Sequence, residues 1–330
     1  MSLRRTLAGA VPALAALTLT ACSSSGPGVA PVASADDGIT VVASTNVYGS
    51  IAAAVGGPGV VVESLIDDPA ADPHSYESTP ADAVTVGRGD VVILNGGGYD
   101  EFMPQLVEAA GGERAVLDVG VLSGLVGAEE EGHAEGEEAG HAEGEEEHGH
   151  GEVNEHFWYS LPAVRTLAAE LATALGELDP SGAADYTANA AAFTTQVDAL
   201  ITRAEAAGAS VPGGRVAVTE PVPGHLVDTA GLTDVTPPEF SGAIEEDTDP
   251  PAAVVAEMLA LFTPGAPDAV RALIVNAQTE TPTTDQVREA AQAAGVPVVE
   301  MTETLPAEQP DYLSWMGAQV DALTAALNPV

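Results

Sequence analysis

Apolar and polar positions repeat along the chain with two different spacings. Short apolar runs typical of strands alternate with longer segments in which apolar residues recur every three to four positions, as in amphipathic helices. The predicted strands are 39–43, 60–66, 90–94, 115–119, 215–219, 272–276 and 297–301. The predicted helices are 47–55, 80–87, 100–110, 161–178, 181–208, 248–262, 283–294 and 312–327. Alternating strands and helices predict parallel sheets with crossover helices.

One predicted helix, 181–208, is much longer than the others. Its apolar positions, among them Tyr186 and Phe193, keep helical spacing throughout, and at 1.5 Å per residue it would be about 40 Å long. The pattern therefore predicts an α/β protein with two lobes, 38–180 and 209–330, joined by this helix. Each lobe should have a central parallel sheet flanked by helices, and ligands commonly bind in the cleft between two such lobes.

The segment 127–155 shows neither spacing. It consists mainly of Glu, Gly and His, with almost no apolar residue. Such a segment cannot bury enough apolar surface to offset the entropy lost on ordering it. We therefore expect it to be a disordered, acidic loop within the N-terminal lobe.

Residues 1–22 have the features of a lipoprotein export signal. Arg4 and Arg5 precede an apolar stretch, 7–20, that is too short to span a bilayer comfortably. The sequence LTAC that ends at Cys22 looks like a bacterial lipobox, and an ordinary signal peptide with an incidental cysteine is the alternative. We expect Cys22 to be lipidated and to anchor the chain to the outer face of the cell membrane. Residues 23–37, rich in Ser, Gly, Pro and Ala, would be a flexible tether.

The composition excludes several kinds of partner and site. The chain has 50 acidic residues against 9 Lys and Arg, a formal net charge of −41, so it should repel the phosphates of nucleic acids. Its single cysteine excludes an internal disulfide and a thiolate metal cluster. Beyond the signal segment, no run of 18 apolar residues predicts a membrane-spanning helix. A metal site in this chain would have to use histidines and carboxylates.

The seven histidines are concentrated in a few places. Four lie in the acidic loop: His133, His141, His148 and His150. His74 follows a predicted strand, His156 follows the acidic loop, and His225 lies just beyond the predicted strand 215–219. Imidazoles at strand ends that face one cleft, beside a loop of His and Glu, suit zinc or a similar divalent ion.

Four motifs resemble those of a known family: DPHSYE, NEHFWYSLPAV, VTEPVPGH and QTETP. The resemblance is to the cluster A-I metal-binding proteins of ABC transporters, which are zinc- and manganese-specific solute-binding lipoproteins. It runs from about Ile39 to Leu327. It implies two α/β lobes bridged by a rigid helix that limits lobe closure. It also implies a monomer that delivers metal to the permease and ATPase of an importer.

The same resemblance implies four metal ligands, one from each of four loops. By their places in the motifs, these are His74, His156, Glu220 and Glu280. The third ligand stays open, because His225, five residues beyond Glu220, is an alternative. His225 and the four histidines of the acidic loop are also candidate accessory ligands.

Four further residues have supporting roles in this prediction. Asp72 and Glu77 flank His74 and are candidates for orienting its ring or for capping the next helix. Trp158 and Tyr159, next to His156, are expected to pack in the core or in the cleft wall.

Two histidines and two carboxylates suit more than one metal. Carboxylates favour harder ions such as Mn²⁺, whereas imidazoles and the His-rich loop favour Zn²⁺. We predict zinc, with manganese as the alternative, and expect the acidic loop to collect metal with low affinity near the cleft. Because only neutral imidazole binds a metal, binding should be lost as the pH falls through the histidine range.

The predicted function is capture of a divalent metal outside the cytoplasm and delivery to an importer. A metallohydrolase is the first alternative, but the sequence has no HExxH motif, no dense His/Asp cluster and no nucleophile elbow. We therefore predict that the protein is not an enzyme. A surface adhesin or passive metal buffer is the second alternative.

Overall fold

The computed structural model describes residues 38–68, 73, 76–127, 153–263, 265 and 269–328. The predicted signal segment with Cys22, the tether 23–37, His74 and residues 128–152 of the acidic loop lie outside the described residues. Residues from Gly38 to Val330 belong to one compact unit.

The N-terminal sheet has the strand order β2-β1-β3-β4, and all its strands are parallel. Its strands are β1 Ile39–Thr45, β2 Val60–Ile66, β3 Val91–Leu94 and β4 Ala115–Asp118. The helices of this lobe are α1 Asn46–Gly56, α2 Pro80–Arg88, α3 Phe102–Ala110, α4 Val119–Ser123 and α5 Leu161–Leu178. Successive residues of β1, such as Val41 and Val42, join different apolar clusters. The middle of the strand, Val41 to Ala43, is apolar on both sides because helices cover both faces of the sheet.

The C-terminal sheet repeats this arrangement with the order β6-β5-β7-β8, again all parallel. Its strands are β5 Arg215–Val218, β6 Thr233–Asp234, β7 Ala272–Asn276 and β8 Val298–Met301. The helices of this lobe are α7 Gly224–Thr229, α8 Pro238–Glu245, α9 Ala252–Ala260 and α10 Pro282–Ala293. The predicted α/β fold with parallel sheets is therefore confirmed.

Helix α6, Ala183–Ala209, is the long helix that the periodicity predicted, and it has 27 residues. Its buried side chains belong to an apolar cluster that also contains Val41 of β1 and Val216 of β5. The last helix, α11 Tyr312–Leu327, contributes to the same cluster. Both sheets thus share one continuous core, and wide separation of the lobes would expose it to water. Although α6 is long, no helix among the described residues is both long and apolar enough to cross a membrane.

Four short elements were not predicted: α4, β6, α7 and α8. They have two to eight residues, which is too short for a periodic pattern to be distinguished. The helix predicted at 248–262 begins only at Ala252. Pro250 and Pro251 precede it, and a proline disfavours helical conformation in the residue before it.

Candidate metal centre

His156 is buried where the acidic loop joins the folded structure, just before a short 3-10 helix at Phe157–Tyr159. Its backbone N–H and its ring Nδ1 contact Oδ1 of Asn154 at 3.0 and 2.9 Å. The Asn154 amide is oriented in turn, because its Nδ2 donates to the carbonyl of Pro221 at 2.7 Å. Nδ1 of His156 therefore carries the proton in the neutral ring. The lone pair that a metal ion can bind then lies on Nε2.

Glu220 is a buried carboxylate two residues beyond the end of β5. Its Oε2 accepts a hydrogen bond from Asn276 Nδ2 at 2.7 Å, and its Oε1 accepts one from the hydroxyl of Thr279. Asn276 is the last residue of β7, the neighbour of β5 in the sheet. The chain connections diverge between these two strands, and open parallel sheets bind ligands beyond the carboxyl ends of the strands at such a point.

Glu303 is a second buried carboxylate at the same edge, two residues beyond the end of β8. Its Oε2 lies 3.5 Å from Asn276 Nδ2, the amide that also holds Glu220. Its Oε1 accepts a hydrogen bond at 2.8 Å from the hydroxyl of Tyr99, which belongs to the N-terminal lobe. Burial, and then the negative charge of Glu303, raise the pKa of Tyr99 well above its ordinary value, so this hydroxyl stays a donor. Groups from both lobes thus hold Glu303.

Glu245, the last residue of α8, faces His156 across the two lobes. Its Oε1 lies 3.7 Å from His156 Nε2. Burial, and then the negative charges of Glu155, Glu220 and Glu303 among its acidic neighbours, raise the pKa of Glu245 to about 8. Near neutral pH this group of carboxylates therefore favours a bound proton or another cation.

Glu155, directly before His156, extends this acidic environment. Its backbone carbonyl accepts a hydrogen bond from Asn95 Nδ2 at 2.8 Å. Burial, followed by the charges of Asp100 and Glu101, raises the pKa of its side chain to about 7. Two neighbouring carboxyl groups, those of Glu155 and Glu245, therefore have raised pKa values.

Two predicted ligands are engaged in other contacts. The side chain of Glu280 is 55% exposed, and its Oε1 accepts a hydrogen bond from Arg288 Nη2 at 2.7 Å. His225 lies in α7, and its Nε2 donates to the carbonyl of Asn154 at 2.8 Å. The structure therefore places Glu280 in an exposed ion pair. It places His225 next to the backbone of Asn154, to which it is hydrogen-bonded, two residues before His156.

Six of the predicted site residues lie outside the described residues: Asp72, His74, His133, His141, His148 and His150. Glu77 is exposed, and the prediction that Trp158 and Tyr159 pack in the core is confirmed. Within the described ranges, no three His, Cys, Asp or Glu side chains lie close enough to hold a metal ion by themselves. A metal centre here therefore depends on a further ligand, for which His74 is the candidate.

Sequence reasoning missed Glu303 and Glu245. A signal for Glu303 was present, because Thr and Glu follow β5 and β8 in the same way, as Thr219-Glu220 and Thr302-Glu303. Both strands pair with β7 in one parallel sheet, so equivalent positions beyond their carboxyl ends lie on the same edge of the sheet. No comparable signal marked Glu245, since α8 itself was not predicted.

The fold and the site together define a class: a two-lobed α/β protein with candidate ligands at the carboxyl ends of its strands. Within that class, the chain belongs to the family described as zinc-uptake complex component A, periplasmic (ZnuA), whose model matches residues 41–326. This match confirms the family resemblance that the four sequence motifs indicated.

The names of individual relatives refer to different metals. The chain is 33% identical to the high-affinity zinc uptake system protein ZnuA of Brucella abortus, over 43% of this chain and 50% of that protein. It is 26% identical to the manganese-binding lipoprotein MntA of Halalkalibacterium halodurans, over 50% of this chain and 48% of that protein. The chain spans about half the length of these curated relatives in the matches. The periplasmic zinc binding protein TroA of Treponema pallidum has the same fold, with a TM-score of 0.65 and 19% identity over 88% of this chain and 99% of that chain.

Proposed function

We propose that this protein captures a divalent transition metal, zinc, outside the cytoplasm and delivers it to an ABC importer. The observation that carries the proposal is the arrangement of His156, whose Nε2 faces Glu245, beside the buried carboxylates Glu220 and Glu303. Membership of a family described as a zinc-uptake component supports this reading. The role is reversible binding, so no chemical step is required of these residues.

The proposed ligands are His74, His156, Glu220 and Glu303. Glu303 replaces Glu280 in this set, because Glu303 is buried and shares the Asn276 amide with Glu220. Glu280, by contrast, is neutralised by Arg288 in an exposed ion pair. The two histidines and the two carboxylates would then come from opposite lobes, so the metal itself would hold the lobes together.

The choice of zinc is tested by competitive titration of the purified protein with zinc and manganese. We expect one tightly bound zinc ion per chain and manganese binding weaker by at least about tenfold, because mixed nitrogen and oxygen sites bind zinc more strongly than manganese. A clear preference for manganese would reject zinc and favour the manganese-specific alternative. Absence of stoichiometric binding of either ion would reject metal capture.

The proposed partners are the permease and the ATPase of the importer, and the proposed location is the outer face of the cell membrane. The LTAC motif supports lipidation of Cys22.

In cells, the Cys22→Ser variant should leave the membrane fraction, because it lacks the thiol that would carry the lipid. Deletion of the gene should lower uptake of radiolabelled zinc. Normal uptake after deletion would instead support the alternative of a passive metal buffer or adhesin. Hydrolysis of a test ester or phosphate by the zinc-loaded protein would support the alternative of a metallohydrolase.

A further inference from the structure

The surroundings of Glu245 disfavour a negatively charged side chain. It is the last residue of α8, where the partial negative charge of the helix end disfavours a carboxylate. Its side chain is only 23% exposed. Its charged neighbours include Glu155, Glu220 and Glu303, which repel its negative charge. Groups that break a local rule in this way are often functional.

The distance between Glu245 and His156 distinguishes two kinds of contact. Oε1 and Nε2 are 3.7 Å apart, whereas hydrogen-bonded atoms of these types lie about 2.7 to 3.2 Å apart. Zinc binds imidazole nitrogen at about 2.0–2.1 Å and carboxylate oxygen at about 2.0–2.2 Å. Two such ligands on one zinc ion are therefore about 3.4 Å apart at a tetrahedral angle and about 4.2 Å apart when opposite each other. The observed separation is too long for a hydrogen bond. It is within ion-pair distance when His156 is protonated, and when His156 is neutral it matches the spacing of two ligands on one metal ion.

The orientation of His156 supports the same reading. Asn154 holds Nδ1 on the other side of the ring, so Nε2 is the nitrogen directed toward Glu245. Glu220 and Glu303 lie in the same acidic group, since both raise the pKa of Glu245. A cation bound at Nε2 would therefore lie next to Glu245, and the charges of Glu220 and Glu303 nearby would favour it.

We propose that Glu245 is an additional metal ligand of the C-terminal lobe, opposite His156. This inference rests on the proposed function and extends its ligand set to a third carboxylate. Because α8 carries Glu245, metal binding also ties the position of this helix to the N-terminal lobe. Metal release would then require α8 and His156 to move apart.

The test compares two isosteric variants of the full chain, Glu245→Gln and Glu246→Gln. Glu246 is the adjacent residue and is exposed, which makes it the matched control. We expect E245Q to lower zinc affinity by at least about 10-fold, the smallest loss seen for residues that only orient a ligand, and to change the visible absorption spectrum of bound Co²⁺, which reports the ligands of the ion. E246Q should change neither quantity. Thermal unfolding of both metal-free variants confirms that they are folded.

The outcomes separate this inference from the proposed function. If wild-type protein binds zinc and E245Q matches it in affinity and Co²⁺ spectrum, Glu245 is not a ligand, although metal capture stands. A lower affinity with an unchanged Co²⁺ spectrum also overturns the ligand role, because Glu245 would then act only through its charge. If the wild-type protein itself binds neither zinc nor manganese, the proposed function fails.

Discussion

Replacing His156 with glutamine is expected to lower zinc affinity by more than about 100-fold, because loss of a residue that merely orients a ligand already costs roughly 10- to 100-fold. His156 is fully buried, and Asn154 fixes the direction of its ring, so no other side chain can take its place without rearrangement. Glutamine fills most of the space and limits the loss of packing. Competition against a fluorescent zinc chelator measures the change.

The matched control is His225→Gln. His225 donates from Nε2 to the carbonyl of Asn154, and the amide of glutamine can supply a similar hydrogen bond. Zinc affinity of this variant should therefore stay close to that of the wild type. Loss of affinity in His225→Gln alone would indicate that His225, rather than His156, supplies a ligand, and an equal loss in both variants would show that His225 is not a neutral control. Wild-type affinity in His156→Gln would contradict the site.

The stability of the metal-free protein is expected to fall as the pH rises from 5 to 9. The pKa of Glu245 is about 8 and that of Glu155 about 7 in the folded protein, above the ordinary value of 4.5. The folded state thus binds these protons more tightly than the unfolded chain does. The resulting stabilisation is complete below about pH 4.5 and is lost as the pH rises through 7 and 8.

The expected size of this effect follows from the shift at Glu245. At about 1.36 kcal/mol per pKa unit, the shift sets an upper limit of about 5 kcal/mol, and we expect a loss of roughly 2 to 4 kcal/mol in the free energy of unfolding. Urea unfolding at pH 5 and pH 9 measures it. Moderate salt is needed to screen repulsion among the other acidic groups of this chain, whose net charge is −41.

E245Q is the control for this prediction, since glutamine does not titrate. Its free energy of unfolding should depend less on pH than that of the wild type, and it should exceed the wild-type value at pH 9. Identical pH dependence in the two proteins would contradict the raised pKa of Glu245. Saturating zinc should stabilise the wild type more at high pH, because the metal must displace these protons.

The predicted ligands differ in the surroundings that the structure gives them. His156 and Glu220 were found because each lies within a motif, and both prove to be buried and held by neighbouring amides. Glu280 was predicted because the family resemblance implies an acid a few residues beyond a late strand of the C-terminal lobe, yet Arg288 binds it at the surface. Arg288 lies on the following helix, eight residues away, and no sequence spacing indicated that its guanidinium would reach back to Glu280.

The sequence by itself determined the layout of the protein. The near-continuous apolar run 90–94 indicated a strand covered on both faces, and the helical spacing over 181–208 indicated a single long helix. These features are local, since each depends on residues close together in the chain. They are therefore visible in the pattern of side chains alone.

Only the tertiary structure decided which acids meet. Glu220, Glu245 and Glu303 come from three separate elements, and they converge because β5, β7 and β8 are neighbours in one sheet and α8 ends beside them. In a chain with 50 acidic residues, composition cannot select these three. What distinguishes them is burial next to other carboxylates, which is a property of packing and becomes visible only when the strands are placed side by side.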